Sequence, residues 1–387
     1  MYKIQTLNNI SVKGLDKFSR EKYEVASEMQ HPDAYILRSF KLHDVEIPES
    51  VLAIGRAGAG VNNIPVEKMS ALGVPVFNAP GANANAVKEL VVTGMLLGCR
   101  NICQAWECAK NLEGDDESIS KEVEQVKKNY VGFELPGRTL GVIGLGAIGT
   151  SVANTAQDLG MNVVGFDPAI TVERAWQLSS SIESANTVDE LLAKSDFVTI
   201  HVPFNEGTKD LINAHRINTM KDNAIILNFS RNGIVNDEDV VAALDAGKLY
   251  AYICDFPSNL LKNHPRVITL PHLGASTAEA EENCAIMIAD QLQDFLENGN
   301  IKNSVNFPKV KMPRVGGYRM AIANSNVPNM VGQTSSILAE TGHNILDLIN
   351  KSRGDLAYTL LDVDTEITED VVEQIKAIDG VLSVRTI

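Results

Sequence analysis

The feature that most constrains this chain is the glycine pattern Gly144-Leu145-Gly146-Ala147-Ile148-Gly149. By itself such a pattern is weak evidence, but its context is specific. It follows an apolar strand-like run, Leu140-Gly141-Val142-Ile143, and opens a helical run that ends at Gly160. A second apolar run, Met161 to Phe166, then leads to the acid Asp167, at about the 20-residue spacing that a dinucleotide fold requires. Each glycine serves a physical purpose. Gly144 allows the tight turn, Gly146 admits a pyrophosphate to the backbone, and Gly149 packs the helix on the strand. The helix start offers free N–H donors to phosphate, with Ala147 and Ile148 in its first turn. Asp167 suits ribose hydroxyls and repels a 2′-phosphate, so the expected cofactor is NAD rather than NADP.

Strand and helix patterns alternate on both sides of this motif. Tyr35–Leu37, Val51–Ile54 and Val74–Asn78 read as strands before it, and Pro65–Leu72 as a helix. Residues 86–110 read as one long helix and Glu113–Ser120 as a surface loop. From 140 onward, strands are expected at 140–143, 162–166, 197–201, 224–228, 250–254 and 266–269, the pattern of a doubly wound parallel sheet. A long helix covers 278–298. Gly299–Gly317, rich in Asn, Pro, Lys and Gly, reads as a linker. The last stretch gives a β-α-β-β-α-β pattern, the mark of a small ferredoxin-like domain.

The expected fold class is therefore α/β, with a Rossmann-type domain, a second domain built on a parallel sheet and a ferredoxin-like tail. Bulk properties remove some functions. A net charge of −15 argues against a nucleic-acid-binding surface. No apolar run reaches the ~20 residues of a membrane span, and the N-terminus lacks a secretory pattern; the expected compartment is the cytoplasm. The five scattered cysteines are not a disulfide framework, and no ligand spacing suggests a metal.

Three further motifs follow the fingerprint in order: His201-Val202-Pro203, Asn228-Phe229-Ser230-Arg231-Asn232-Gly233, and Pro271-His272-Leu273-Gly274-Ala275-Ser276-Thr277. Together with Gly144–Gly149 and Asp167 they resemble the D-2-hydroxyacid dehydrogenases. Gly55-Arg56-Ala57-Gly58 and Asn78-Ala79-Pro80-Gly81-Ala82-Asn83 resemble the members that oxidise 3-phosphoglycerate, and the tail resembles an ACT regulatory domain. The resemblance covers essentially the whole chain. It implies a flavodoxin-like substrate domain from 1–85 and 280–300, an NAD domain from 86–279, a linker at 301–316 and an ACT domain from 317–387. It implies catalysis by Arg231, which grips the substrate carboxylate, and His272, which moves the proton. Arg38 and Arg56 would meet the phosphate, with Asn83 and the amides at Ala57 and Gly58 in support. His201, Val202, Pro203, Phe229, Ser230, Asp255, His272 and Gly274 would join the fingerprint residues around the cofactor, Asp255 at the nicotinamide carboxamide.

One departure stands out. The family carries a Glu between the Arg and the His, but there is no acid from Phe256 to Ala278, and Asn259 falls about where the Glu belongs. Asn can orient an imidazole by a hydrogen bond but cannot stabilise its charged form as a carboxylate does. In the tail, Asn324, Asn326 and Asn344 match positions that bind serine between paired subunits; two readings stand, an L-serine sensor and an oligomerisation module. The implied assembly is a homodimer or homotetramer. The leading reading is oxidation of 3-phosphoglycerate in serine synthesis. The alternatives are a reductase of glyoxylate, hydroxypyruvate or 2-oxoglutarate, and an NAD(H)-sensing corepressor.

Overall fold

A computed structural model describes residues 1–314 and 316–387. Runs such as Ala34–Leu37, Phe197–Ile200 and Ala224–Asn228 are buried at every position, as strands covered on both faces must be. They lie in two parallel sheets. The first contains β1 (Tyr2–Leu7), β2 (Tyr23–Ala26), β3 (Ala34–Leu37), β4 (Ala53–Arg56) and β5 (Val76–Asn78), ordered β2-β1-β3-β4-β5. That is the flavodoxin-like order. The second contains β6 (Thr139–Ile143), β7 (Asn162–Phe166), β8 (Glu183–Ser184), β9 (Phe197–Ile200), β10 (Ala224–Asn228), β11 (Leu249–Cys254) and β12 (Val267–Thr269). Its order, β12-β11-β10-β9-β6-β7-β8, reverses at β6, the Rossmann switch point. The tail forms an antiparallel sheet of β13 (Tyr318–Ser325), β14 (Ile345–Arg353), β15 (Leu356–Val363) and β16 (Val381–Thr386), ordered β14-β15-β13-β16. With helices Met330–Glu340 and Glu369–Lys376 this is the ACT-like β-α-β-β-α-β unit.

The chain divides into two compact units, one of Met1–Ala82 with Ala278–Ile387, the other of Asn83–Thr277. The second unit departs from the sequence reading in two places. The expected long helix over 86–110 is broken at Asn101, whose φ of 51° is left-handed, so that Ala84–Cys99 and Ile102–Lys110 are separate helices. The expected loop at 113–120 is largely the start of helix Asp116–Val126, capped by the Asp115 carboxylate on Ser118 N. Its polarity reflects an exposed helix rather than a coil.

The stretch read as a linker is packed in the first unit, apart from position 315, which lies outside the described residues. Phe307, Val310 and Met312 are buried. Residues 303–305 pair with the edge of β5, and the Asn306 side chain extends that pairing: its Oδ1 accepts from Val76 N (2.9 Å) and its Nδ2 donates to Val74 O (3.0 Å). The Asn, Pro and Lys content hid a spaced set of apolar anchors. One hydrophobic core then runs from Ile288, Leu292 and Phe295 of helix Ala278–Asn298 into Ala321, Ala323, Tyr358 and Leu360 of the tail sheet.

Arg319 locks this junction. It is 0% exposed, and its partner Asp362 is 1% exposed. Nε and Nη2 donate to the two carboxylate oxygens at 2.7 and 2.8 Å. Nη1 donates to Asn298 O and Met312 O, and Nη2 also to Pro313 O, each at 2.9 Å. All five guanidinium donors are satisfied, the condition under which a buried charge is tolerable. Asp362→Asn, which leaves the guanidinium buried without its counter-charge, is expected to destabilise the first unit by about 3–5 kcal/mol in denaturant unfolding, whereas an apolar pair at both positions costs far less.

Candidate functional site

In a parallel sheet every strand delivers its following loop to the same edge. In the second unit that edge collects the motif residues. β6 leads into Gly144, β7 into Asp167, β9 into His201-Val202-Pro203, β10 into Phe229-Ser230-Arg231 and β11 into Asp255, and the turn after β12 carries His272 to Gly274. Sites in open α/β sheets form at this edge, beside the switch point.

The three fingerprint glycines differ in what surrounds them. Gly144 has φ +91°, and a Cβ there would lie 2.7 Å from His201 O. A Cβ on Gly149 would lie 1.9 Å from Gly144 O, so its absence lets the helix sit on the strand. A Cβ on Gly146 would meet nothing within 4 Å. The space over Gly146 is open, as an approaching pyrophosphate needs. Helix Ala147–Asp158 has no side-chain cap, whereas those starting at Val172, Val188, Ala214 and Asp237 are capped by Thr171, Thr187, Asn213 and Asn236. Its first N–H groups, around Ala147 and Ile148, keep their hydrogen-bonding capacity for an anion. Asp167 accepts Leu145 N (2.8 Å) and Ala169 N (2.9 Å), which fixes its carboxylate at the tip of β7. These residues fit an NAD molecule.

His201 is half-buried. Its Nε2 shares a hydrogen bond with Thr199 Oγ1 (2.9 Å), and Nδ1 is buried without a partner among the described residues. Burial pushes its pKa down to about 3, so this imidazole is neutral at working pH and is no proton carrier. Ser230 Oγ donates to Val202 O and thereby joins the loops after β9 and β10. Asn228, 1% exposed, clamps the second loop: Oδ1 accepts Ser230 N (3.1 Å) and Nδ2 donates to Arg231 O (3.0 Å). Sequence reasoning places Asn228 in a motif but does not reveal this clamp. Arg231 itself is exposed. Its Nη1 donates to Ser230 O (2.7 Å), and no carboxylate pairs with it among the described residues.

His272 has φ +54°, a left-handed conformation that is uncommon for a residue with a side chain. Asp255 holds it there. This carboxylate is 1% exposed and accepts Leu273 N and Gly274 N, one on each oxygen, both at 2.8 Å. Asp255, expected at the nicotinamide carboxamide, is held here by the His272 turn, with one backbone N–H on each oxygen. The His272 ring meets the Phe256 ring edge-on, with centroids 5.3 Å apart. Asn259, expected to orient that imidazole, is exposed and makes no hydrogen bond to it among the described residues. The Phe256 contact takes its place, and apolar contacts of this kind leave no motif signal.

In the first unit, Arg38 follows β3 and Arg56 ends β4, neighbouring strands with Leu37 and Arg56 in register. Arg56 Nε donates to Arg38 O (3.1 Å), and Arg38 Nη1 pairs with Glu281 Oε1 (2.6 Å). Gly58 lies beneath Arg56, where a Cβ would stand 2.0 Å from Nη1, the flexible end of that side chain. The expected anion-binding amides are not free: Ala57 N donates to Leu37 O and Gly58 N to Arg56 O, both at 2.8 Å. Asn83 is half-buried at the start of helix Ala84–Cys99, and its side chain caps nothing.

In the tail, Asn324 pairs with Ala357 on β15, and its Nδ2 donates to Ser325 O (2.6 Å). Asn326 Nδ2 donates to Gly354 O (3.0 Å) near the same end of the sheet. Asn344 N donates to Asp364 Oδ1 (3.0 Å) at the opposite end. About seven strand positions, roughly 23 Å, separate the two ends, so one tail does not bring the three Asn together. Among the described residues no group of three or more His, Cys, Asp or Glu could hold a metal ion, and no helix is long and apolar enough to cross a membrane.

Comparison with known proteins agrees with this geometry. Residues 102–274 match the NAD-binding domain model of the D-isomer specific 2-hydroxyacid dehydrogenases. A D-3-phosphoglycerate dehydrogenase from Methanocaldococcus jannaschii is 37% identical over 304 residues, 76% of this chain and 56% of that protein. The chain thus spans little more than half the length of that relative. One from Haemophilus influenzae is 31% identical over 356 residues, 89% of this chain and 83% of that protein. An NAD+-bound 3-phosphoglycerate dehydrogenase structure from Entamoeba histolytica superposes with a TM-score of 0.60 at 27% identity, over 79% of this chain and 98% of that one. With the fingerprint, the Arg231 loop and the His272 turn all on one sheet edge, and with likeness sustained over most of its length, the chain belongs to the D-isomer specific 2-hydroxyacid dehydrogenase family.

Proposed function

We propose that this protein oxidises 3-phospho-D-glycerate with NAD and reduces 3-phosphohydroxypyruvate in reverse, the activity named for its relatives from M. jannaschii and H. influenzae. The observation that carries this reading is that an exposed Arg231 and a turn-held His272 both lie on the NAD-domain edge, in a chain whose first unit also carries two arginines at adjacent strand ends.

NAD, when bound, supplies the hydride acceptor. The remaining work belongs to the chain. Gly144, Gly146 and Gly149, with the first turn of helix Ala147–Asp158, hold the pyrophosphate, and Asp167 holds the ribose and disfavours a 2′-phosphate. Val202, Pro203, Phe229 and Ser230, with the His201 main chain and Gly274, form the rest of the cofactor wall. Arg231 grips the substrate carboxylate with its planar fork. His272 takes the C2 hydroxyl proton during oxidation and returns it during reduction, as an imidazole nitrogen can accept and donate in turn. Asp255 and Phe256 position that imidazole. Arg38 and Arg56 take the phosphate.

For the tail we assign L-serine as effector, on the strength of Asn324, Asn326 and Asn344. A site using all three needs two tails, which supports a homodimer or homotetramer. Calorimetric titration of L-serine into the full chain tests this: Asn324→Ala and Asn344→Ala each abolish the heat of binding, and binding retained in either variant refutes a shared site.

The cofactor assignment predicts a split between two glycines. Gly146→Ala leaves the melting temperature nearly unchanged but weakens NADH binding, read by fluorescence titration, by about tenfold or more, since the added methyl fills the pyrophosphate approach. Gly149→Ala lowers the melting temperature itself, because its methyl meets backbone. Equal effects in both would remove the distinction. The substrate assignment is read by following NADH oxidation with 3-phosphohydroxypyruvate beside hydroxypyruvate and 2-oxoglutarate. A preference of about 100-fold or more in kcat/KM for the phosphorylated acid is expected, the scale of a charge-assisted anion contact; comparable rates on all three would reject it in favour of a general 2-keto-acid reductase.

A further inference from the structure

The cations assigned to phosphate are already engaged. Glu281, in the first turn of helix Ala278–Asn298, lies with Oε1 2.6 Å from Arg38 Nη1, and the two side chains are 45% and 38% exposed. Arg56 is tied to the same locus by its hydrogen bond to Arg38 O. Cys284, one turn beyond Glu281, feels the whole cluster: burial raises its thiol pKa, Arg56 and Arg38 oppose that rise, and Glu281 adds to it. The phosphate site therefore contains a resident anion of its own.

A half-exposed ion pair is weak and readily exchanged. A phosphate ester carries nearly two charges and three acceptor oxygens, so it competes well for a guanidinium held by one carboxylate. The displaced carboxylate remains attached to its helix near the incoming phosphate and repels it, because like charges at close range oppose binding. An unphosphorylated keto acid brings no such charge and has no need to open the pair. A carboxylate at this place thus lowers affinity for one substrate class and not for the other.

We propose that Glu281 is a specificity-determining residue: by occupying Arg38 it sets how strongly phosphorylated substrates are preferred over unphosphorylated ones. This rests on the assignment of Arg38 and Arg56 to the substrate phosphate. The competing explanation is a plain tether between helix Ala278–Asn298 and the end of β3, which would affect both substrate classes alike.

The test uses the full chain as wild type, Glu281→Gln, Arg38→Gln and the double variant. The quantity measured is the ratio of kcat/KM for 3-phosphohydroxypyruvate to that for hydroxypyruvate. Glu281→Gln raises this ratio about tenfold, through KM for the phosphorylated acid, as expected for removal of one like charge near a dianion. In the Arg38→Gln background the same substitution has a much smaller effect. A ratio left unchanged, or the two KM values moving together, overturns the proposal. Calorimetry with inorganic phosphate gives a readout free of turnover: Glu281→Gln tightens phosphate binding, and unaltered binding counts against the proposal. If the wild type turns over neither keto acid, the functional assignment fails, while the phosphate titration still decides whether Glu281 screens Arg38.

Discussion

Seven strands that all run in one direction are the constraint on which the rest depends. Parallel pairing forces each connection to cross back over the sheet, and the loops that leave the strand tips gather at one edge. Residues far apart in sequence, from Gly144 to His272, thereby share one rim. The rim is then finished by polar clamps. Asn228 fixes the Arg231 loop, and Asp255 holds His272 in a left-handed turn. Such strain persists only where the surroundings over-determine it, and Asp255, almost fully buried, provides that.

The first unit is governed by a different device. Its sheet, the long helix after Ala278 and the tail share one apolar core, with Arg319 and Asp362 sealed at the junction. A buried pair of this kind contributes little net stability when complete and costs a great deal when half-removed. It fixes which surfaces meet. Tyr358 Oη on Gly299 O (2.8 Å) and Arg385 on Phe295 O (2.6 Å) reinforce the same junction. The tail is thus built into the body that carries Arg38 and Arg56 rather than hung from it.

Much of this was legible in the sequence. Apolar runs at 140–143, 162–166 and 224–228 became strands because fully buried parallel strands have few alternatives. The motif residues were legible because the loops after the strand tips carry them in recognisable order along the chain. What escaped was of another kind. Asn306 extends the pairing of 303–305 along β5 with its side chain, and the anchors Phe307, Val310 and Met312 lay in a stretch whose composition looks like a linker. Asp255 and Phe256 act on His272 through backbone amides and a ring edge, neither of which has a spacing rule. The broken helix at Asn101 turns on a single left-handed residue, one that Asn tolerates better than most. The Arg38–Glu281 pair joins residues far apart along the chain, beyond the reach of local pattern.

The proposed activity requires this rim to pass a hydride between NADH and C2 of a 2-keto acid, on the face that yields the D product. The most direct measurement is to incubate the full chain with 3-phosphohydroxypyruvate and NADH deuterated at the nicotinamide C4, and then to examine the product by NMR and chiral analysis. Deuterium is expected at C2 of D-3-phosphoglycerate from one of the two C4-labelled isomers. A product of L configuration, or one with no deuterium from either isomer, would contradict it.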